Sequence, residues 1–381
     1  ISSKNFMSRN NISLENPIMG FSSYTFFPGQ HWAHSWERQH EIISRFATIL
    51  QDKRIFVSSP LGLLNHNPFS IDFFKRIVSY KHSQKNAGIQ NPIMDNMELV
   101  SAKHLPFHNN IIGKINYTLM KSAMSMSDNN FFWATYMNPT IYEFFRRSKF
   151  KIYDLAERRS TNPHLNNRIL EWERKAVKES DLVIADNHAT IEDYRLLNDN
   201  IHYIPQGVNV ESFFNINDGA REYIGYIGNL HFAIDYIFLR ELILKNPKEK
   251  FLIIGGILED AARQILELPN VIHIGQLPKM ELNNHLAHMK MGLIPYVVNN
   301  HTVGIYPTKL FEYLSAGVPV ISLPLPEVVQ YTDDDYLKII EKPIDLSNIK
   351  FSMNKAQAIV NDNTWDVRWN KYIEKIELCL R

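Results

Sequence analysis

The chain has 381 residues, 45% of them hydrophobic and 21% charged, an ordinary globular balance that at ~150 residues per domain predicts two or three domains with their own cores. Lys+Arg 41 against Asp+Glu 40 leaves +1, which gives no whole-chain pull towards nucleic acid, and the single cysteine, Cys379, excludes an internal disulfide framework and a multi-cysteine metal site. No apolar run approaches the ~18 residues of a membrane span and Ser2–Asn11 is polar, so a soluble, cytoplasmic protein is expected, with the inner face of the cytoplasmic membrane as the other place it fits.

Short apolar runs alternate with amphipathic stretches, the pattern of layered α/β domains. Pro17–Phe27 reads as strand and turn, Ser35 as the cap of a helix running to Leu50, and Arg54–Ser59 as the strand that closes this unit. From Pro60 to Asn130 the periodicity is weak. Lys151–Leu155 and Asp181–Ala185 are clearer strands, with a charged helix over Asn167–Lys178 between them. His202–Val208 looks like a last strand and a linker, punctuated by Pro205 and Gly207. Before Pro205 stand 24 basic and 19 acidic residues (+5), and after it 17 and 21 (−4). The second half is more regular. It predicts strands at Tyr223–Ile227, Phe251–Ile254, Val271–Ile274, Gly292–Pro295 and Pro319–Ser322, and helices at Asp235–Leu244, Lys279–Met289 and Lys309–Ala316. Four of the strands run into Gly228-Asn229, Gly255-Gly256, Gly275-Gln276 and the Asn299–Tyr306 loop, and open parallel sheets bind ligands at such carboxyl ends. Trp365–Leu380 closes the chain as an amphipathic helix.

Gly304–Val320 (GIYPTKLFEYLSAGVPV) carries the most chemistry. Pro307 and Thr308 start a short helix and Gly317 stops it, which puts Lys309 and Glu312 on one face of the first turn. A helix start with a lysine suits a phosphate, and a carboxylate one turn deeper can accept both hydroxyls of a ribose. The same spacing equally suits a surface ion pair worth ~0.3 kcal/mol.

This stretch resembles the donor-site signature of GT-B glycosyltransferases of family 4 and its relatives, a Pro-x-Lys-x-x-Glu-Tyr-x-x-x-Gly-x-Pro-Val run. Its surroundings agree in order: Ile204–Phe213 resembles the family's linker, Ile224–Asn229 its glycine turn, and Val271–Pro278 the strand and turn that meet the base. Trp36–Phe46, Ile55–Pro60 and Tyr153–Arg158 are similar to the bacterial envelope-polysaccharide subgroup. The resemblance implies two Rossmann-like domains facing across a cleft: an acceptor domain over 1–205, a nucleotide-sugar domain over 206–360, and a terminal helix, 361–381, that returns to the first domain with Trp365 and Trp369. It implies transfer of a sugar from a nucleotide diphosphate sugar to a saccharide or lipid-linked saccharide in cell-envelope polysaccharide synthesis. No cofactor and no metal are expected, because Lys309 and the amides near Tyr306 can balance the leaving diphosphate. Gly228, Asn229, Gly275, Gln276 and Leu277 complete the donor set. A nucleotide-sugar epimerase on the same fold and a non-catalytic partner subunit are the alternatives.

Three departures from the family pattern bear on mechanism. The second glutamate that many members carry eight residues before the ribose-binding one is Gly304 here. After the glycine turn the chain reads Asn229-Leu230-His231-Phe232, without the usual cations. If His231 gripped phosphate as a cation, donor affinity would fall as pH rises between about 6 and 8; otherwise it merely packs. The double-glycine loop after the first strand is missing, which leaves Gly29 as the acceptor-side candidate for close backbone approach. A general base, where one is needed, is sought first at Asp154, at the end of a strand, then at His34 and Glu37. A structural role for Asp154 is the competing reading, and retaining members of the fold have no agreed protein base.

Weaker patterns remain. Asp333-Asp334-Asp335 matches an Asp-x-Asp metal motif but lies in a polar turn. His31/His34 and His285/His288 lack further ligands for zinc. Arg146, Arg147, Lys149 and Lys151 beside Phe144, Phe145 and Phe150 would suit an anionic membrane surface and hence peripheral association; a solvated face is the alternative.

Overall fold

The computed structural model describes residues 17–33, 36–61, 91–101, 104–105, 109–162, 167–212, 221–278 and 281–381. They fall into two units. The first takes in the described residues up to Ala185, Ile191–Tyr203 and Trp369–Arg381; the second takes in Asp186–Thr190 and Ile204–Arg368.

The first unit is built on a parallel seven-stranded sheet in the order β3-β2-β1-β4-β5-β6-β7. Its strands are β1 (Ser23–Phe27), β2 (Ile55–Ser58), β3 (Met97–Val100), β4 (Asn130–Ala134), β5 (Phe150–Leu155), β6 (Leu182–Ala185) and β7 (Ile201–Tyr203). Parallel strands covered by helices on both faces bury both side-chain rows, so they read as continuous apolar runs. β4, with sequence NFFWA, is the extreme case: all five residues are buried, and the strand pairs with β1 (Phe26 opposite Trp133) and with β5 (Trp133 opposite Ile152). The Arg38–Ile49 helix buries Ile42, Ile43, Phe46 and Ala47 against this sheet side of the core. Its N-cap is Glu37 rather than the expected Ser35, which lies outside the described residues. Glu37 and His40 form a reciprocal capping box in which the Glu37 N–H donates to His40 Nδ1 at 3.1 Å.

The second unit has a parallel six-stranded sheet, β10-β9-β8-β11-β12-β13. These are β8 (Tyr223–Ile227), β9 (Lys250–Ile254), β10 (Val271–Gly275), β11 (Met289–Ile294), β12 (Val320–Ser322) and β13 (Leu337–Ile339). The helix expected at Lys279–Met289 is cut to Leu282–Leu286 among the described residues, because Met289 already belongs to β11. β11 needs a glycine at 292: a Cβ there would sit 2.6 Å from the Tyr313 ring, which fills the space above the strand. The last helix, Trp365–Leu380, differs from expectation at its start. Trp365 stays with the second unit, where its N–H donates to the Val208 carbonyl at 3.2 Å, and only residues from Trp369 onward belong to the first.

Candidate functional site

At the carboxyl end of β8 the chain turns through Gly228 at φ +147°, and at the end of β9 through Gly255 at φ +151°. Both values favour glycine. The two turns lie back to back: a Cβ on Gly255 would fall 2.0 Å from the Gly228 carbonyl oxygen. Asn229 ties them together by accepting the Gly256 N–H on its side-chain oxygen at 3.0 Å, while the Tyr226 hydroxyl donates to the Asn229 carbonyl at 3.0 Å.

The Lys309–Ser315 helix then brings its lysine onto this turn. A Cβ on Gly228 would meet Lys309 Cε at 2.6 Å and Nζ at 3.1 Å, so the missing side chain is what lets the ammonium approach the backbone. The helix is held in place by Tyr313, whose hydroxyl accepts the Ile227 N–H at 2.9 Å. Lys309 Nζ lies 5.9 Å from the Tyr226 ring centre and 5.7 Å from that of Tyr296. Burial alone would pull its pKa down, but the neighbouring Tyr296 and Glu312 outweigh that and raise it above the ordinary value, so the ammonium stays charged. Lys309 and Glu312 do not form the surface ion pair that their spacing allowed, and neither makes an ion pair with any described residue. A cation and a carboxylate thus share one helix turn, with no ion pair among the described residues, at the carboxyl edge of a parallel sheet. That arrangement can hold a diphosphate and a diol.

His231 belongs to the same cluster. Its Nδ1 accepts the Ala233 N–H at 3.2 Å, which leaves Nε2 as the proton-bearing nitrogen of the neutral ring. Burial, then the Lys309 charge, then His301 push its pKa down to about 4. Without a ligand the ring is therefore neutral between pH 6 and 8, which argues against the loss of donor affinity expected across that range. Gly275, at φ +86°, has nothing within 4 Å of a would-be Cβ, so its backbone faces open space; Gln276 beside it is exposed, and Leu277 packs on the core. Tyr306 is buried, with its hydroxyl 3.3 Å from that of Tyr331. The loop before it is hydrogen-bonded to itself. Asn299 Oδ1 accepts the N–H of both His301 and Thr302 at 2.9 Å, which leads into a single 3-10 turn, Thr302–Gly304.

On the first unit three expectations change. Asp154 is fully buried, with Oδ1 accepting from Arg38 Nε at 2.9 Å and Oδ2 from the Tyr372 hydroxyl at 3.1 Å. It is a structural anchor, since a base must be reachable by an acceptor hydroxyl. Glu37 is the helix cap described above, which engages its carboxylate with the His40 N–H. The Gly29 N–H already donates to Thr135 Oγ1 at 2.8 Å and Gln39 Oε1 at 3.2 Å, so its amide is not presented to a ligand. His34 lies outside the described residues.

Two of the weaker patterns find partners within the fold. Asp335 is nearly buried and accepts the N–H of Asn354 at 3.1 Å and of Lys355 at 2.7 Å, while Asp333 accepts from Lys355 Nζ at 2.8 Å. The aspartates brace a turn. In the basic run, Arg146 and Arg147 both pair with Glu143, and Lys151 lies 3.6 Å from Asp181. One buried carboxylate was missed altogether. Glu327, 1% exposed, accepts the His188 backbone N–H at 2.6 Å and its ring Nδ1–H at 3.0 Å, which holds the Asp186–Thr190 segment within the second unit. Its only sequence signal is an acid directly after a helix-starting proline, Pro326.

Residues 221–348 match the family Glycosyl transferases group 1. They span the glycine turns, Lys309 and Glu312. The second unit carries a domain of that family. A Bacillus subtilis protein, TuaH, named as a teichuronic acid biosynthesis glycosyltransferase, is 27% identical over 204 residues, 45% of this chain and 51% of that protein, so the match spans about half of the relative's length. Among solved structures, HepE of Anabaena in complex with UDP superposes with a TM-score of 0.62 at 14% identity, covering 93% of this chain and 99% of that one. Sucrose-phosphate synthase of Thermosynechococcus elongatus gives 0.66 at 11% identity, covering 92% and 97%. At such identities the likeness carries the fold.

Proposed function

We propose that the protein transfers a sugar from a nucleotide diphosphate sugar to a saccharide or lipid-linked saccharide in cell-envelope polysaccharide synthesis. The observation that carries this reading is the Lys309 ammonium, without an ion-pair partner among the described residues, set against the Gly228 backbone with Glu312 one turn further on. Lys309 would balance charge as it develops on the leaving diphosphate, an interaction that strengthens in the transition state. His231 would add a neutral hydrogen bond from Nε2. Glu312 would anchor the ribose, and the open backbone at Gly275 together with Gln276 would meet the base. These groups cover the diphosphate without a metal ion or cofactor, so transfer is proposed to be metal-independent and of the hexosyl type. The UDP complex of the Anabaena structure and the name of the Bacillus relative support a nucleotide-sugar donor and an envelope polysaccharide respectively. Asp154 and Glu37 are committed to packing and capping, so His34 is the side chain proposed as general base where the reaction needs one.

The test is a thermal-shift panel of UDP, GDP, ADP, CMP and TDP on the wild type and Glu312→Ala. At about 100 times Kd a ligand stabilises the fold by ~2.7 kcal/mol. One nucleotide should raise the melting temperature of the wild type and fail to do so in the variant. No response to any of the five would sink the donor site. Nucleotide release that requires a saccharide acceptor would then separate transferase from epimerase.

A further inference from the structure

Beside the phosphate-facing groups of the second unit the surface turns apolar. Phe232 and Val298 are each 44% exposed. Phe232 lies on the loop that leaves β8 through the Gly228 turn, and Val298 on the loop that leaves β11, so both stand at the carboxyl edge of the six-stranded sheet. β8 and β11 are neighbours, and their loops are tied together. The Val297 N–H donates to the Ala233 carbonyl at 2.8 Å, and Ile234 pairs with Tyr296 in an isolated bridge. One exposed apolar side chain is ordinary on a protein surface; two on adjoining loops beside a ligand-facing cation point to a ligand with an apolar face.

A row of rings leads from the cation to Phe232. Lys309 Nζ lies 5.7 Å from the Tyr296 ring centre, the Tyr296 ring 5.6 Å from that of His231, and the His231 ring 5.8 Å from that of Phe232. Phe232 also meets the His301 ring, at 5.3 Å. Contacts with two imidazoles hold the phenyl in place, one ring beyond the His231 nitrogen proposed to meet phosphate. Glu312 and the Gly275 turn are proposed to take the nucleoside, so the group that follows the diphosphate towards Phe232 is the sugar. A phenyl face makes no ordinary hydrogen bond to phosphate, and it covers the C–H face of a pyranose.

We propose that Phe232, with Val298 on the adjoining loop, is the platform on which the pyranose of the donor stacks, so that the sugar is positioned through its C–H face. This role rests on the nucleotide-sugar reading of the Lys309 site and adds to it a residue that touches the sugar alone. Titration calorimetry on the full chain, with UDP, GDP, ADP and TDP each set against its glucose conjugate, separates the sugar from the rest of the donor. Phe232→Ala should bind the bare diphosphate as the wild type does and the glucose conjugate about tenfold more weakly, whereas Phe232→Tyr, which keeps the ring, should bind both as the wild type does. Should Phe232→Ala melt early, Phe232→Leu decides, since it keeps apolar bulk and loses the ring face. Undiminished binding of the conjugate by the folded variant overturns the proposal, and an equal loss for diphosphate and conjugate does so too, because Phe232 would then serve the phosphate cluster. A wild type that binds a diphosphate but not its glucose conjugate also overturns it. If none of the four diphosphates binds the wild type, the donor site itself falls and the platform with it.

Discussion

Lys309 and Glu312 are three residues apart on a helix and yet make no ion pair with each other. A half-buried charge without an ion-pair partner costs free energy, and such groups cluster at functional sites. Hydrogen bonds from a charged group contribute about 1.5–3 kcal/mol, so Glu312→Ala should weaken nucleoside diphosphate binding by roughly 10- to 100-fold, measured by calorimetry on the folded variant. His231 predicts a pH behaviour of its own. Its pKa in the fold, about 4, lies below that of the exposed ring, so the unfolded chain takes up its proton first as pH falls. That contribution to stability is complete above about pH 6.5 and is lost as pH drops towards 4. Donor affinity should stay flat from pH 6 to 8, and His231→Asn should flatten the acid limb of melting temperature against pH. A donor affinity that fell steeply across neutral pH in the wild type but not in the variant would show that His231 binds as a cation.

The double glycine turn is the element on which the donor site stands. A methyl at Gly255 would run into the Gly228 carbonyl oxygen at 2.0 Å, and a backbone cannot swing aside as a lysine tip can. At Gly275 the φ of +86° carries strain, but the space is open. Gly255→Ala should therefore lower the melting temperature clearly more than Gly275→Ala, and it alone should also abolish nucleotide binding. Equal losses would mean that strain, not the back-to-back packing, decides. Much of this element was legible in the sequence, because a glycine after each apolar run and the Lys-x-x-Glu spacing are local signals. β4 was not. Its five buried residues follow a stretch rich in Asn, Ser and Met, and a run that is apolar on both faces has no alternation to reveal it. The Asp333–Asp335 turn was legible as a turn, whereas its use of Asp335 to hold the Asn354 and Lys355 amides, some 19 and 20 residues on, has no local trace.

At the scale of the whole chain the least legible feature was Asp154. A carboxylate at the end of a strand reads as a catalytic group only while its partners are unseen, and Arg38 and Tyr372 stand 116 and 218 positions away. Tyr372 also accepts from Trp133 Nε1 at 2.7 Å, so one phenol links the last helix to the central strand β4 and to β5. Breaking one partner out of a buried ion pair costs about 3–5 kcal/mol, since the other charge stays in a low-dielectric site. Asp154→Asn keeps the shape and leaves the buried Arg38 guanidinium without that carboxylate. It should melt several degrees below the wild type, while turnover per folded molecule is unchanged. Tyr372→Phe keeps the ring but loses the hydroxyl that serves both Asp154 and Trp133, and should cost about 1–3 kcal/mol in the same way. The two changes strike one network, so the double variant should lose less than the sum of the singles. Turnover that collapsed in Asp154→Asn at an unchanged melting temperature would return this carboxylate to the chemistry.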